Sequence, residues 1–317
     1  MKHIILLFLF PILNYGQNYN GPESIEYSPN SASYFISNSG NGQVLELDNN
    51  NNLSIFVNNL QAGPHGLELV QQDIGTEWSE QFLYACSGGQ LYGYDFNGNE
   101  ILNYDLNGSF LNGITHRINT SSEVDLFITD FSAKKLYQYS ISENMHYEIC
   151  SFSKNPNGVY YDAMNNRLLV VCWGWNAPIY DINISEGTYT TIINTGLANI
   201  DGITMDQCGN LYISVWGTNS IHKYNSDFSE SEIIIDGLNN PADIYYNTFD
   251  NIIAIPNSGN NTIDLIPYSC DNSNTEEIES KKNIFKKIDL LGRETVQSKF
   301  ILEIYEDGSI EKKYLIK

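Results

Sequence analysis

The sequence has few basic residues, and most of them lie near its end. Lys and Arg make up 16 of 317 residues against 38 Asp and Glu, for a formal net charge of −22. Nine basic and nine acidic residues follow Asn274, so that tail is close to neutral and the middle of the chain carries the negative charge. An acidic body repels phosphate, which excludes nucleic-acid binding, but it suits calcium, whose ligands are oxygens.

Cysteine pairs at metal-binding spacing are also absent. The sequence has no C-x-x-C pair, which excludes a zinc site of the usual spacing. An odd number of cysteines leaves at least one thiol unpaired, and most are expected to be small buried hydrophobic residues, although export would permit disulfides. The five cysteines are Cys86, Cys150, Cys172, Cys208 and Cys270.

Apolar runs long enough to cross a bilayer are missing as well. The chain begins "MKHIILLFLFPILNYG", with Lys2, an apolar stretch over residues 4–13 and a small residue at Gly16. That stretch is too short for a membrane anchor, and its pattern is typical of a secretory signal peptide over residues 1–16. We therefore expect an exported protein without a transmembrane span.

What the sequence does contain is a repeat. Aromatic residues reach 13%, with 22 Tyr, and six related segments each pair a polar residue with a short apolar run, a turn and an "LYIS"-like run. The polar residues, which we call anchors, are Glu23, His65, Asn112, Asn157, Asp201 and Asp243. Their spacings of 42, 47, 45, 44 and 42 residues, with a fourth short run in most repeats, predict an all-β, six-bladed β-propeller over residues 17–270.

Two regions do not follow the repeat. The sixth repeat has no obvious fourth strand, and the few residues before Gly21 are the candidate for completing it. Residues 271–280 are polar and acidic, as in a linker. Three β-type runs over residues 281–317 surround "LLGRE" and "EDGS", the latter a hairpin turn with Asp-Gly.

This tail resembles the C-terminal sorting domain of proteins exported by the type IX secretion system. The resemblance rests on "DLLGRE" and "YEDGSIEKKYLIK" and covers residues 281–317. It implies a partner, the type IX machinery, and a protein that is secreted or attached to the cell surface. A small stabilising hairpin is the alternative.

The anchors start the innermost strands, so they are expected to meet at one mouth of the central channel. Acids and amides that converge there supply the oxygen ligands that calcium, or another divalent cation, takes. For any single anchor the alternative is local, because Asn and Asp before a strand often satisfy backbone donors of a turn.

The repeats also resemble the calcium-dependent lactonases and arylesterases, namely the paraoxonases and the gluconolactonase/regucalcin family. The similarity lies in "GPESIEYSPNSASYFIS", "GPHGLEL", "FLNGITHR", "NPNGVYYD" and "NIDGITMD". It implies four metal ligands, which are Glu23, Asn112, Asn157 and Asp201. It also implies a catalytic role for His65 as the base, with Asp201 as the alternative because the gluconolactonase branch lacks that His. Gly202 and Ser24 depart from the paraoxonase pattern, where an amide ligand and an acid for a second calcium stand.

Other polar and aromatic residues receive weaker assignments. His116 and His222 are expected near exposed edges and are given no role. Trp173, Trp175 and Trp216 follow second strands, where they either line a substrate mouth or pack between blades.

Two functions follow as hypotheses. The first is a monomeric, secreted, calcium-dependent hydrolase of lactones or esters. The second is a non-catalytic propeller that acts as a surface binding or adhesion module, as NHL-type propellers do.

Overall fold

The computed structural model describes residues 18–73, 78–119, 123–270, 284–288, 300–305 and 310–314. The chain divides into two units, Met1–Cys270 and Asp271–Lys317. The predicted signal peptide and linker lie outside the described residues. Those residues form strands and turns without a helix, so they include no helix of the length and apolarity that a membrane span requires.

The first unit consists of six antiparallel sheets, each built from strands that are consecutive in the chain. Blade 1 contains β1 (Pro22–Ser28), β2 (Ser33–Asn38), β3 (Gln43–Leu47) and β4 (Leu53–Val57). Blade 2 contains β5 (Pro64–Asp73), β6 (Trp78–Ser87), β7 (Gln90–Tyr94) and β8 (Glu100–Asp105). Blade 3 contains β9 (Leu111–Ile118), β10 (Val124–Asp130), β11 (Lys135–Ser140) and β12 (Met145–Ser151). Blade 4 contains β13 (Asn155–Asp162), β14 (Arg167–Trp173), β15 (Pro178–Asn183) and β16 (Thr188–Asn194). Blade 5 contains β17 (Ile200–Met205), β18 (Leu211–Val215), β19 (Ser220–Tyr224) and β20 (Ser231–Ile235). Blade 6 contains β21 (Tyr245–Asn247), β22 (Ile252–Asn257) and β23 (Thr262–Pro267). This arrangement confirms the predicted six-bladed propeller.

The hydrophobic core is divided among the blade interfaces. Each of six clusters of buried side chains joins two neighbouring blades, and the last joins blade 6 to blade 1. In that last cluster Ile25 and Ile36 of blade 1 pack with Ala254 of blade 6. The first strands therefore form the wall of a central channel, because every blade packs face to face on its neighbours.

The ring closes without a shared strand among the described residues. Residues 18–20 do not complete blade 6; instead Asn38 of blade 1 binds them, accepting from the Asn20 amide and donating to the Asn18 carbonyl. The seam is held by the Asp243 amide, which donates to the Glu23 carbonyl at 2.8 Å.

A disulfide fastens the end of the propeller. Cys270, just after β23, is bonded to Cys208 in the β17–β18 turn of blade 5. The other three cysteines are free; Cys86 and Cys172 are buried, and Cys150 is half-buried. Three of the five cysteines are therefore buried, counting the disulfide-bonded Cys270, and the one pairing joins residues 62 apart in sequence.

The second unit is described only by its strands. β24 (Ile284–Ile288), β25 (Phe300–Tyr305) and β26 (Ile310–Tyr314) form an antiparallel sheet in that order. The predicted Asp-Gly turn at residues 307–308 lies outside the described residues.

Candidate functional site

The start of each innermost strand carries a register shift that includes the anchor. In blade 5, Ile200 pairs with Val215 but Ile203 pairs with Ile213, so three steps on β17 match two on β18. The corresponding shifts in blades 1–4 follow Pro22, Pro64, Leu111 and Pro156. Such bulges redirect side chains, and here each one turns an anchor towards the channel.

One anchor was assigned to the wrong position. The Ser258 amide donates to the Asn240 carbonyl in blade 6, as the Trp216 amide donates to the Asn199 carbonyl in blade 5. This match makes Ala242, rather than Asp243, the equivalent of the Asp201 anchor. The error arose because an acid stood one residue further along, where blades 2–5 have glycine.

The glycines after the anchors let neighbouring strands approach closely. A Cβ placed on Gly66 or Gly113 would lie 2.0 or 2.4 Å from the carbonyl oxygen of the next anchor. One placed on Gly202 would lie 2.6 Å from the Asp243 Cα. The close packing of blades 5 and 6 therefore requires glycine at position 202. An amide ligand at this position would displace the backbone of blade 6.

Hydroxyl groups from blades 1, 3 and 5 each tie their own blade to the next one at the same level. Ser37 Oγ accepts from the Ser24 amide at 2.8 Å and donates to the His65 carbonyl at 2.7 Å. Thr129 and Ser214 make the same pair of bonds from blades 3 and 5. These buried hydrogen bonds fix the backbone at the anchors, and the fixed backbone in turn positions the anchor side chains at the mouth.

The two amide anchors are hydrogen-bonded to each other and lie beside the acid anchor. Asn112 Nδ2 donates to Asn157 Oδ1 at 2.5 Å, and Asn157 Nδ2 donates to the Ile200 carbonyl at 3.4 Å, one residue before Asp201. All three side chains are buried, with Asn157 only 2% exposed. The structure thus brings together three of the four predicted metal ligands.

The fourth ligand, Glu23, lies beside a second acid. Asp243 accepts from Ser24 Oγ at 3.0 Å, and the Asp243 amide donates to the Glu23 carbonyl at 2.8 Å. Burial, and then the charge of Asp243, raises the pKa of Glu23 to about 7. Burial also raises the pKa of Asp243 to about 7, and burial followed by the charge of Glu23 raises the pKa of Asp201 well above its usual range.

These buried acids and amides form an oxygen donor set that fits calcium. None of the three carboxylates has a Lys or Arg partner among the described ion pairs. Buried carboxylates without a cation are unfavourable, as their raised pKa values indicate. Among the described residues, Glu23, Asp201 and Asp243 do not place three side-chain oxygens within 4.8 Å of one another, so one ion would contact at most two as the side chains stand.

His65 stands on the ring between Glu23 and Asn112 in blade order. Burial lowers the pKa of its imidazole to about 4, so the ring is neutral at pH 7. Its Nδ1 is buried and makes no hydrogen bond within the described part of the chain. Phe110 packs edge-on against it, with ring centroids 4.6 Å apart. A neutral imidazole with a free nitrogen is able to accept a proton.

The expectation that His116 and His222 lie near exposed edges was wrong for both. His222 is buried in blade 5 and contacts Thr218 through Nε2. His116 faces the channel from β9 and hydrogen-bonds Glu68. The alternation along each strand turns these residues inward, since each blade is packed on both faces.

A second level of channel residues was missed. Each lies three positions after an anchor position, because the register shift returns the strand to the channel side after three steps. The residues are Glu26, Glu68, Thr115, Tyr160, Thr204 and Tyr245, and they line a cavity of about 290 Å³ together with His116. The recurring spacing of three was present in the sequence and was the signal for them.

The wall of the mouth differs between its two halves. On each second strand, the residue that follows the partner of the position before the anchor is aromatic in blades 3–5 and small in the others. The aromatic set is Phe131, Trp173 and Trp216, and the small set is Ser39, Gly88 and Ser258. Trp173 contacts Phe131 of blade 3 and Trp216 of blade 5, so these two residues pack between blades at the anchor end, whereas Trp175 is 77% exposed.

Comparisons with known proteins find similarity at the level of the fold. No protein-family model and no curated protein matches the chain. Among solved structures, a gluconolactonase from Xanthomonas campestris is 12% identical with a TM-score of 0.63, over 80% of this chain and 87% of that one.

Two lyases are similar to a comparable degree. A streptogramin B lyase is 15% identical with a TM-score of 0.58, over 96% of this chain and 86% of that one. A virginiamycin B lyase from Staphylococcus aureus is 16% identical with a TM-score of 0.55, over 95% of this chain and 98% of that one. The chain is thus a six-bladed β-propeller whose structural neighbours include a gluconolactonase and virginiamycin-type lyases.

Proposed function

We propose that the protein is a calcium-dependent hydrolase of lactones or esters. The observation that carries this proposal is the convergence of buried acids and amides from blades 1, 3, 4 and 5 at one mouth, where the described residues provide no cationic partner. A propeller alone does not determine chemistry, so the proposal rests on this site.

Glu23, Asn112, Asn157 and Asp201 would hold the ion. Calcium bound there would polarise the substrate carbonyl as a Lewis acid. Asp243 has a separate role, because its carboxylate holds Ser24 and so fixes the backbone beside Glu23. The two amides fix the backbone beside Asp201, since Asn157 donates to the Ile200 carbonyl and accepts from Asn112.

His65 would act as the general base, with Asp201 as the alternative. Water oxygen bonds to the carbonyl carbon, the bond from that carbon to the alcohol oxygen breaks, and the proton taken by His65 passes to the leaving oxygen. His65 is neutral and its Nδ1 makes no hydrogen bond among the described residues, so the nitrogen is available, but the burial that lowers its pKa also makes it a weak base.

The test uses the purified chain after removal of calcium with EDTA. We expect hydrolysis of an aryl ester or a lactone only after calcium is restored, with a product that gains one water. An elimination product would point instead to a lyase, and calcium binding without turnover across a broad panel would support the binding-module alternative.

Two variants assign the residues. Asp201→Asn should weaken calcium binding by at least ~10-fold because it removes a charged ligand, while Asp181→Asn, whose partner is Arg167, should not. His65→Gln should lower kcat by ~100-fold with calcium affinity unchanged. An unchanged kcat would transfer the base role to Asp201.

We also propose that the chain is exported, with residues 1–16 removed and residues 281–317 acting as a type IX sorting signal. The proposal rests on the sequence patterns alone. Amino-terminal sequencing of the secreted protein should begin at residue 17, and deletion of residues 281–317 should retain the protein in the periplasm. Secretion of the deleted chain at the normal level would contradict the sorting role.

A further inference from the structure

The aromatic half of the mouth forms a continuous series of rings. We call it the aromatic arc, and it consists of Phe110, Phe131, Trp173 and Trp216. Successive ring centroids are 5.5, 6.2 and 5.1 Å apart, and every contact is edge to face. All four side chains are partly exposed. Because His65 contacts Phe110, the arc begins beside the proposed base and extends over blades 3–5.

The arc is held in place by buried hydrogen bonds. Asp130 accepts from the backbone amides of Ser109 and Phe110 at 2.6 and 3.1 Å. The Phe131 amide donates to the Phe110 carbonyl at 2.8 Å, and Asn155 Nδ2 donates to the Phe131 carbonyl at 2.9 Å. Rings fixed in this way form a pre-organised surface, which lowers the entropic penalty of binding.

A ring nitrogen without a hydrogen-bond partner in the described part of the chain lies at each end of the aromatic arc, one in Trp216 and one in His65, which contacts Phe110. Trp216 Nε1, like His65 Nδ1, is buried and makes no hydrogen bond among the described residues. Burying the Trp216 N–H without an acceptor is unfavourable, and His65 Nδ1, the nitrogen proposed to take a proton, has no donor among these residues. A ligand bound at the mouth would supply hydrogen-bond partners for these two nitrogens.

The same side of the mouth has the free basic residues of the propeller. Arg117, Lys135, Arg167 and Lys223 each pair with a carboxylate. Lys134 and Lys154 form no ion pair within the described ranges; their Nζ atoms donate to the carbonyls of Ser153 and Trp175. Both lysines precede strands that start at the anchor end, next to Phe131 and Trp173 in blades 3 and 4.

We propose that the mouth binds a substrate with a flat aromatic group and a negative charge, the ring against the aromatic arc and the anion at Lys134 and Lys154. The inference rests on the proposed function, because it defines which ester or lactone the site would accept. Aromatic contacts favour a flat ring, and two unpaired ammonium groups in an acidic body favour a carboxylate.

The test uses two probes that contain no ester, the anion 1-naphthaleneacetate and its neutral amide 1-naphthaleneacetamide. Each is titrated into the calcium-loaded full chain. We expect the anion to bind about tenfold more tightly, as a charge-assisted contact supports. Equal affinity for the two probes would overturn the role of the lysines. The absence of binding of either probe at millimolar concentration would overturn the whole proposal.

Variants locate the site. Lys134→Gln with Lys154→Gln should abolish the preference for the anion, whereas Lys135→Gln, which changes a neighbouring lysine paired with Glu148, should keep it. Trp173→Leu should weaken both probes about fivefold. Its control is Tyr147→Leu, an exposed aromatic on β12.

The outcomes separate this inference from the hydrolase itself. Because the lysines are on the surface, their variants are expected to fold, and they test the anion site even if Trp173→Leu does not fold. A matching loss in Lys135→Gln, or in Tyr147→Leu, would contradict the placement. Probe binding without calcium-dependent turnover would contradict only the hydrolase, and turnover without probe binding would contradict only the aromatic site.

Discussion

At the scale of single residues, the equivalent anchor position carries different residue types with different roles in different blades. Blade 1 has Glu23 there and blade 5 has Asp201, but blade 6 has Ala242 and takes its carboxylate from Asp243 one residue later. Because that carboxylate binds Ser24, the sixth blade contributes to the alignment of Glu23 rather than adding another equivalent ligand.

The raised pKa values of these acids predict how stability depends on pH. Glu23 and Asp243 hold protons up to about pH 7 in the folded protein, but lose them near pH 4 when unfolded. The folded state therefore binds more protons between these values, and stability falls as pH rises through 7. His65 has the opposite effect only below its unfolded pKa of 6.5.

We expect the melting temperature of the EDTA-treated protein to fall by at least ~4 °C between pH 6.5 and 8.5. Calcium should remove most of this fall, because a bound cation stabilises the ionised acids. Glu23→Gln should reduce the fall without calcium. A melting temperature that rises over this interval would contradict the assignment of these groups.

At the scale of strands, the hydroxyl bridges connect each odd-numbered blade to the next. Ser214→Ala would leave the Gly202 amide without its acceptor and the Ala242 carbonyl without a donor. We expect a loss of about 1–3 kcal/mol in the free energy of unfolding, measured by chemical denaturation. Ser226→Ala, in an exposed turn, is the control and should change stability by less than about 0.5 kcal/mol.

The disulfide gives a second prediction at this scale. In denaturant without reductant, three thiols should titrate, and five should titrate after reduction. Cys208→Ala with Cys270→Ala should lower stability by about 4 kcal/mol, since the bond closes a long loop of the unfolded chain. Five reactive thiols before reduction would disprove the bond.

Sequence reasoning reached the repeated features and missed those that depend on pairing in space. The period of 42–47 residues predicted the blades, and the anchor motifs predicted the positions of Glu23 and Asp201. The Cys208–Cys270 bond and the three-stranded sixth blade depend on which ends of the chain meet, which spacing does not specify. Phe131 was missed because a single Phe after a strand has no local signal; only the register aligns it with Trp173 and Trp216.

At the scale of the whole molecule, the negative charge of the propeller has a measurable effect. Like charges repel in the compact state, and salt screens them. Raising NaCl from about 20 mM to about 500 mM, which shortens the screening length severalfold, should raise the melting temperature of the EDTA-treated protein. A neutral osmolyte such as sucrose at matched osmolality is the control for solvent effects. A decrease with NaCl would show that the surface ion pairs outweigh the repulsion.

The closure of the ring determines the order in which the chain can fold. Since each blade uses only consecutive strands among the described residues, blade 1 does not wait for a strand from the far end of the chain. Each blade can form as soon as its own residues leave the ribosome or a translocation channel, and it then offers its exposed face as a template for the next. Blade 6, its packing against blade 1 and the oxidation of Cys208 and Cys270 come last, because all three require the last residues of the propeller. The disulfide can thus form only in molecules whose sixth blade is complete.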